Sequence, residues 1–270
     1  MNRTIRQRTR GQAHGAITRM VSPGDLGQML KPFVFLDFID ANIAPGFGFE
    51  FHPHSGIATL TYQLDCDAEM EDSSGQKVLV RRGGLEWMQA GGGVWHRGSL
   101  TASSHVTGFQ LWVALPEGLE DAGANALYVT PEQVPTRDGV KVLVGTYRDL
   151  QGPVPEPSPM VYLHVRLEPG ESWRLALPDR FEVAWAVVFE GQVSLSGAQL
   201  SDELVVLSER GSAVEFTSAS GAQFMFGAAQ RHPWPLILGN YSVHTNASSL
   251  LNGERRIREI GSELHRRGLR

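Results

Sequence analysis

Two histidines separated by a single residue, His52-Pro53-His54, are the part of this chain best suited to chemistry. In an extended segment the side chains at i and i+2 leave the backbone on the same face, so both imidazoles can reach one metal ion. Pro53 points to the opposite face and offers no ladder N–H, which suits a strand at the edge or rim of a sheet. A third histidine closes the run Gly91-Gly92-Gly93-Val94-Trp95-His96, far enough downstream to come from a neighbouring strand. Three neutral imidazoles would make a facial metal site. The competing reading is that these are ordinary core or surface residues among the nine histidines of the chain. Spacing alone leaves both open.

The elements that must position these groups are short, strand-like and punctuated by glycine and proline. Val34–Phe38, Ile57–Leu64, Lys77–Val80, Gly108–Leu115 and Lys141–Val144 form one set. Tyr162–Leu167, Val183–Phe189, Gln192–Leu195, Glu203–Leu207, Ala213–Thr217 and Gln223–Gly227 repeat the rhythm. Regular short strands of this kind indicate a sandwich or barrel, and the repetition implies two similar halves divided near Thr130 to Arg137. The second half carries Leu177 to Phe181 near where the first has its histidines, so it cannot build the same site. Gly152 to Pro159 reads as an extended, proline-rich loop. After Asn246 the period changes: Leu250, Ile257, Ile260 and Leu264 mark an amphipathic helix, with Thr245 or Asn246 as its cap. Arg266, Arg267 and Arg270 sit near the negative end of its dipole.

Other groups are weighed against plainer roles. Glu86 and Asp37 are the nearest candidates for a general base or for an acceptor that orients a ligating imidazole. Trp87, Met88, Trp95, Phe109 and Trp112 suit either a barrel core or an apolar substrate pocket. The triple glycine lacks the Lys-Ser/Thr of a phosphate loop and reads as a tight turn. Cys66 stands alone, which excludes an internal disulfide, and its neighbours Asp65 and Asp67 would raise the thiol pKa. A net charge of -5 over 270 residues gives no general attraction to nucleic acid or an anionic membrane. The arginine-rich start is followed by no apolar run, so a cytoplasmic protein is expected, without nucleic-acid or membrane partners.

Taken together, Phe51-His52-Pro53-His54-Ser55-Gly56, Thr59-Leu60-Thr61-Tyr62, Leu85-Glu86-Trp87-Met88-Gln89-Ala90-Gly91 with His96, and Gly108 to Val113 resemble the pirin family of the cupin superfamily. The resemblance extends to Pro235-Leu236-Ile237 and Val243-His244-Thr245-Asn246 ahead of the terminal helix. It implies an all-β bicupin: two cupin-type β-barrels with a short C-terminal α-helix. Residues 1–133 would carry the metal site and 134–270 a barrel without one, plus the helix. It implies His52, His54 and His96 as ligands of a divalent metal, iron(II) first, with nickel, copper or zinc as alternatives.

Pirins complete their ligand set with a glutamate two residues after the last histidine, and many cupins with a carboxylate about four residues after the second. Here those positions hold Gly98 and Ala58. Strand parity puts each on the face of its histidine. The activity implied is that of a quercetin 2,3-dioxygenase-like oxygenase acting on a small, flavonol-like aromatic. The alternative is a non-catalytic binding or regulatory protein with a protein partner, holding metal or metal-free.

Overall fold

The computed structural model describes residues 1–44, 46–101 and 105–269. Alternating β-branched and aromatic residues produce strands nearly everywhere, and among the described residues only Leu26–Leu30 and Ala247–Arg266 are α-helices. The segments expected as strands are strands, several to the residue: Lys77–Val80, Glu203–Leu207 and Ala213–Thr217. Arg270, expected at the helix end, lies outside the described residues. No helix among the described residues is long and apolar enough to cross a membrane.

The chain divides into two compact units, Met1–Gln12 with Val134–Arg231, and Ala13–Gln133 with His232–Arg270. The second contains the three histidines. Its seven-stranded sheet is built around Phe33–Asn42, His105–Ala114, Ile57–Gln63 and Leu85–Gln89, neighbours in that order. Its four-stranded sheet runs Gly48–His54, Val94–Leu100, Ala68–Asp72, Lys77–Val80. The terminal helix belongs to this unit for a local reason. Trp95 donates its indole N–H to the Ile257 carbonyl at 2.6 Å, and Leu264 packs with Phe51 and Trp95. Asn246 caps the helix by accepting the Ser249 N–H at 2.9 Å, as the asparagine preference at such positions anticipates. Gly253 inside the helix permits close approach, since a Cβ there would stand 2.6 Å from Ser55 Oγ and 2.7 Å from His244 Nε2.

The other unit repeats the connectivity. Met160–Leu167, Ala222–Ala229, Val183–Gly191 and Glu203–Leu207 occupy the same order in its seven-stranded sheet. Ser172–Ala176, Ala213–Thr217, Val193–Leu195 and Ala198–Leu200 make its four-stranded one. The counterpart of the histidine strand Gly48–His54 is therefore Ser172–Ala176, and the segment Leu177 to Phe181 follows it. Where His52 faces His96 across the sheet in one unit, Trp173 faces Phe216 in the other. Both rings join an apolar cluster with Phe224 and Phe226. Side chains of that kind leave no donor set for a metal.

His164 lies buried on Met160–Leu167, its Nε2–H donated to Gln223 Oε1 at 2.9 Å. Burial lowers its pKa to about 4, against the pull of the Gln223 bond. A histidine kept neutral in the fold but free to charge when unfolded supports stability above its unfolded pKa. That support is lost as pH falls from about 6.5 towards 4, roughly 3 kcal/mol in all. His164→Gln should flatten the decline in unfolding free energy over this window, measured by denaturant titration at several pH values. An unchanged slope would contradict the assignment.

Candidate metal centre

His52 and His54 lie on the edge strand Gly48–His54, and His96 on its neighbour Val94–Leu100, directly opposite His52 in the antiparallel register. The i, i+2 spacing and the register together bring the three rings to one face. Their centroids are 4.9 Å (His52–His54), 4.6 Å (His52–His96) and 5.1 Å (His54–His96) apart. One ring nitrogen from each lies within 4.8 Å of the others. The glycine turn before His96 is required by close approach: a Cβ on Gly91, at φ +51, would stand 2.1 Å from the Ala122 carbonyl oxygen.

The hydrogen bonds set the tautomers. His52 Nδ1 meets the Glu50 carbonyl at 2.8 Å and His54 Nδ1 the Tyr241 carbonyl at 3.1 Å. A carbonyl oxygen only accepts, so both Nδ1 atoms carry the proton and both Nε2 atoms keep a free lone pair. Burial, reinforced by His96, pushes the His52 pKa down to about 4. Burial does the same to His54, well below its ordinary value. These rings are neutral near pH 7, so a metal meets no proton competition there. Both nitrogens of buried His96 lack a hydrogen-bond partner. Three imidazoles, two of them neutral with tautomers preset, fit a divalent transition metal.

The cluster opens into a cavity of about 840 Å³ whose walls include Phe35, Phe51, Phe109, Trp112 and Tyr241. That volume lies within the usual ~300–1,000 Å³ of small-molecule sites. Of the five side chains considered as pocket or core, only Phe109 and Trp112 line it; Trp87 and Met88 are core. The cavity also carries polar groups, among them Arg19, Asp37, Thr61, Gln63, Glu86 and Gln110. Arg19 grips Asp37 in a bidentate pair, with Nη2 to Oδ2 at 3.0 Å, and lies over the Phe35 ring at 4.1 Å. Asp37 is thereby committed to a cation, which leaves it poorly placed as a base. Cys66 is buried away from this chemistry, its thiol pushed up to about 11 by burial and by Asp65 and Asp67.

The two positions without an acid prove unequal. Gly98 lines the cavity, but Ala58 belongs to Ile57–Gln63 in the other sheet. Parity counted from His54 to Ala58 therefore fails. The chain turns at Gly56, φ +73, and changes sheets between them, so alternation along one strand does not carry over. An acid is nonetheless present from a third strand: Glu86 Oε1 lies 3.6 Å from His96 Nδ1.

Sequence reasoning missed what holds His54 in place. Tyr241, at φ +65, presents its carbonyl to the ring from a loop 187 residues away. Beside it Ser55 Oγ contacts Ser242 Oγ at 2.9 Å and His244 Nε2 at 3.0 Å, and His244 Nδ1 lies 3.2 Å from Glu120 Oε2. The Ser–His–Glu order resembles a nucleophilic triad. Ser55 is fully buried, at 0% exposure, so no substrate reaches it, and the network serves to pin the tail loop against the histidine strand. The only advance signal was the Val243-His244-Thr245-Asn246 motif.

Comparison with known proteins agrees with this architecture. The pirin family model matches residues 14–113. A provisionally named quercetin 2,3-dioxygenase of Pseudomonas aeruginosa is 32% identical over 238 residues, covering 82% of each chain. The crystal structure of a quercetin 2,3-dioxygenase from Acinetobacter baumannii has a similar fold, with TM-score 0.86 and 22% identity over 94% of this chain and 96% of that one. So does a bacterial pirin from Escherichia coli in complex with nickel(II), with TM-score 0.66 and 19% identity over 84% and 96%.

Proposed function

The chain belongs to the pirin family, and from that premise we propose that it is a metal-dependent oxygenase of the quercetin 2,3-dioxygenase type, taking a flavonol-like aromatic substrate. Two cupin-type barrels, one for each unit, would carry the activity, with His52, His54 and His96 as metal ligands in one of them. Iron(II) is the first choice of metal, with nickel, copper or zinc accepted by the same donor set. The observation that carries this reading is the convergence of three imidazoles, two of them neutral with preset tautomers, on a cavity walled by aromatic side chains.

When bound, the metal supplies a Lewis acid and a template for substrate oxygens. The chain's own residues do the rest. His52 and His54 keep their Nε2 lone pairs available because carbonyls hold their Nδ1 protons. Trp112 stacks on Phe35 at 4.1 Å between ring centroids and packs edge-on against His54 at 4.9 Å. Such a wall excludes water and offers a flat face to a planar ligand.

Oxygen uptake by metal-loaded protein with quercetin tests the proposal, with each of the four metals in turn. Uptake that requires both metal and flavonol is expected. Stoichiometric metal binding without uptake for any flavonol would instead favour the non-catalytic, regulatory reading.

A further inference from the structure

The Glu86 carboxylate is a poorly satisfied polar group near the centre. It is 1% exposed, and its Oε1 has no hydrogen-bond partner. Its Oε2 is met by Thr61 Oγ1 at 3.1 Å, but the same hydroxyl lies 2.9 Å from Gln110 Oε1. A threonine carries one hydroxyl proton, so Glu86 receives at most one neutral hydrogen bond from it. A carboxylate held this way is costly to the fold. Facing it at 3.6 Å is His96 Nδ1, on a ring whose two nitrogens are both unpartnered and which is itself 5% exposed. Two orphaned groups of complementary chemistry face one another in the wall of one cavity.

Resting on the metal-centre reading above, we infer that Glu86 is the site's displaced carboxylate: it supplies from a strand of the other sheet, through His96 Nδ1–H, the negative charge that Gly98 does not. Glu86 stands on Leu85–Gln89 of the seven-stranded sheet, whereas Gly98 follows His96 on its own strand. A proton on Nδ1 directed towards Glu86 leaves Nε2 as the ligating atom of His96. His96 then matches His52 and His54, whose Nδ1 atoms are also the proton-bearing ones. The carboxylate makes the imidazole a better donor and offsets the dipositive charge without occupying a coordination position. Glu86 is in this sense a positioning residue. A centre with three neutral ligands and an anion one step removed keeps more positions open to substrate than one with a fourth ligand.

The test separates charge from shape. Gln at position 86 keeps the size and an acceptor oxygen but removes the charge, so apo wild type and Glu86→Gln are titrated with nickel(II) alone by calorimetry, and their melting midpoints are recorded without metal. The inference expects nickel affinity to fall about tenfold or more, while the metal-free midpoint rises by about 2 °C or more as the strained carboxylate disappears. A purely structural Glu86 would give the opposite pattern, with a lower midpoint or failure to fold, and either result overturns the inference. So does unchanged nickel affinity in a folded variant. If wild type itself takes up no nickel, iron, copper or zinc, the metal centre fails and this inference fails with it. Loss in Glu86→Gln against firm binding in wild type supports both.

Discussion

His96→Ala should leave a folded protein that holds divalent metal at least about 100-fold more weakly than wild type, because groups that merely touch a ligand are already worth about 10–100-fold. His96 is the only one of the three from the strand Val94–Leu100, directly opposite His52. Without it two ligands from one strand remain, too few to compete with water and buffer. The ring is buried at the cavity wall, so truncation also leaves space that water can fill. Elemental analysis after loading and desalting reads the result, with circular dichroism confirming the fold. Equal metal content in variant and wild type would refute the ligand assignment.

Glu120→Ala should destabilise the protein by about 2–5 kcal/mol, at about 1–3 kcal/mol for each buried donor left unsatisfied. Glu120 is fully buried and accepts from the Thr245 N–H at 2.6 Å, from the Thr245 hydroxyl, and from Asn246 Nδ2 at 3.4 Å. It also draws the His244 pKa up against the larger downward push of burial. Alanine leaves the Thr245 N–H and hydroxyl without this acceptor at the start of the terminal helix, where Asn246 is the cap. The same loop presents the Tyr241 carbonyl to His54, so metal affinity should weaken as well, though less than in His96→Ala. Chemical denaturation measures the first effect and metal titration the second. A loss below about 1 kcal/mol would show that the network is dispensable.

How much of this was legible beforehand follows from the range of each interaction. The three histidines were visible because their geometry is set by parity along one strand and by pairing with its neighbour, both local regularities. The strands were visible for the same reason, and so was the half without a metal site, since the stretch Leu177 to Phe181 offers no histidine. Strand parity failed between His54 and Ala58, because alternation has meaning only until the backbone changes sheets. Glu86 is a candidate by type and place in the sequence, but its aim at His96 depends on the relation of two sheets and leaves no period there. The tie from Tyr241 to His54 spans 187 residues and uses a backbone carbonyl, which no side-chain pattern encodes. Ser55, Glu120 and His244 are brought together in the same non-local way.

The proposed centre requires that these three imidazoles bind one metal together. X-ray absorption at the metal edge of protein loaded with a single equivalent of nickel(II) tests this most directly. Three imidazole nitrogens are expected in the coordination sphere, at about the 2.0–2.1 Å typical of histidine–metal bonds. A spectrum of oxygen donors without imidazole scattering, or one unchanged when His52, His54 and His96 are all replaced by alanine, would contradict it.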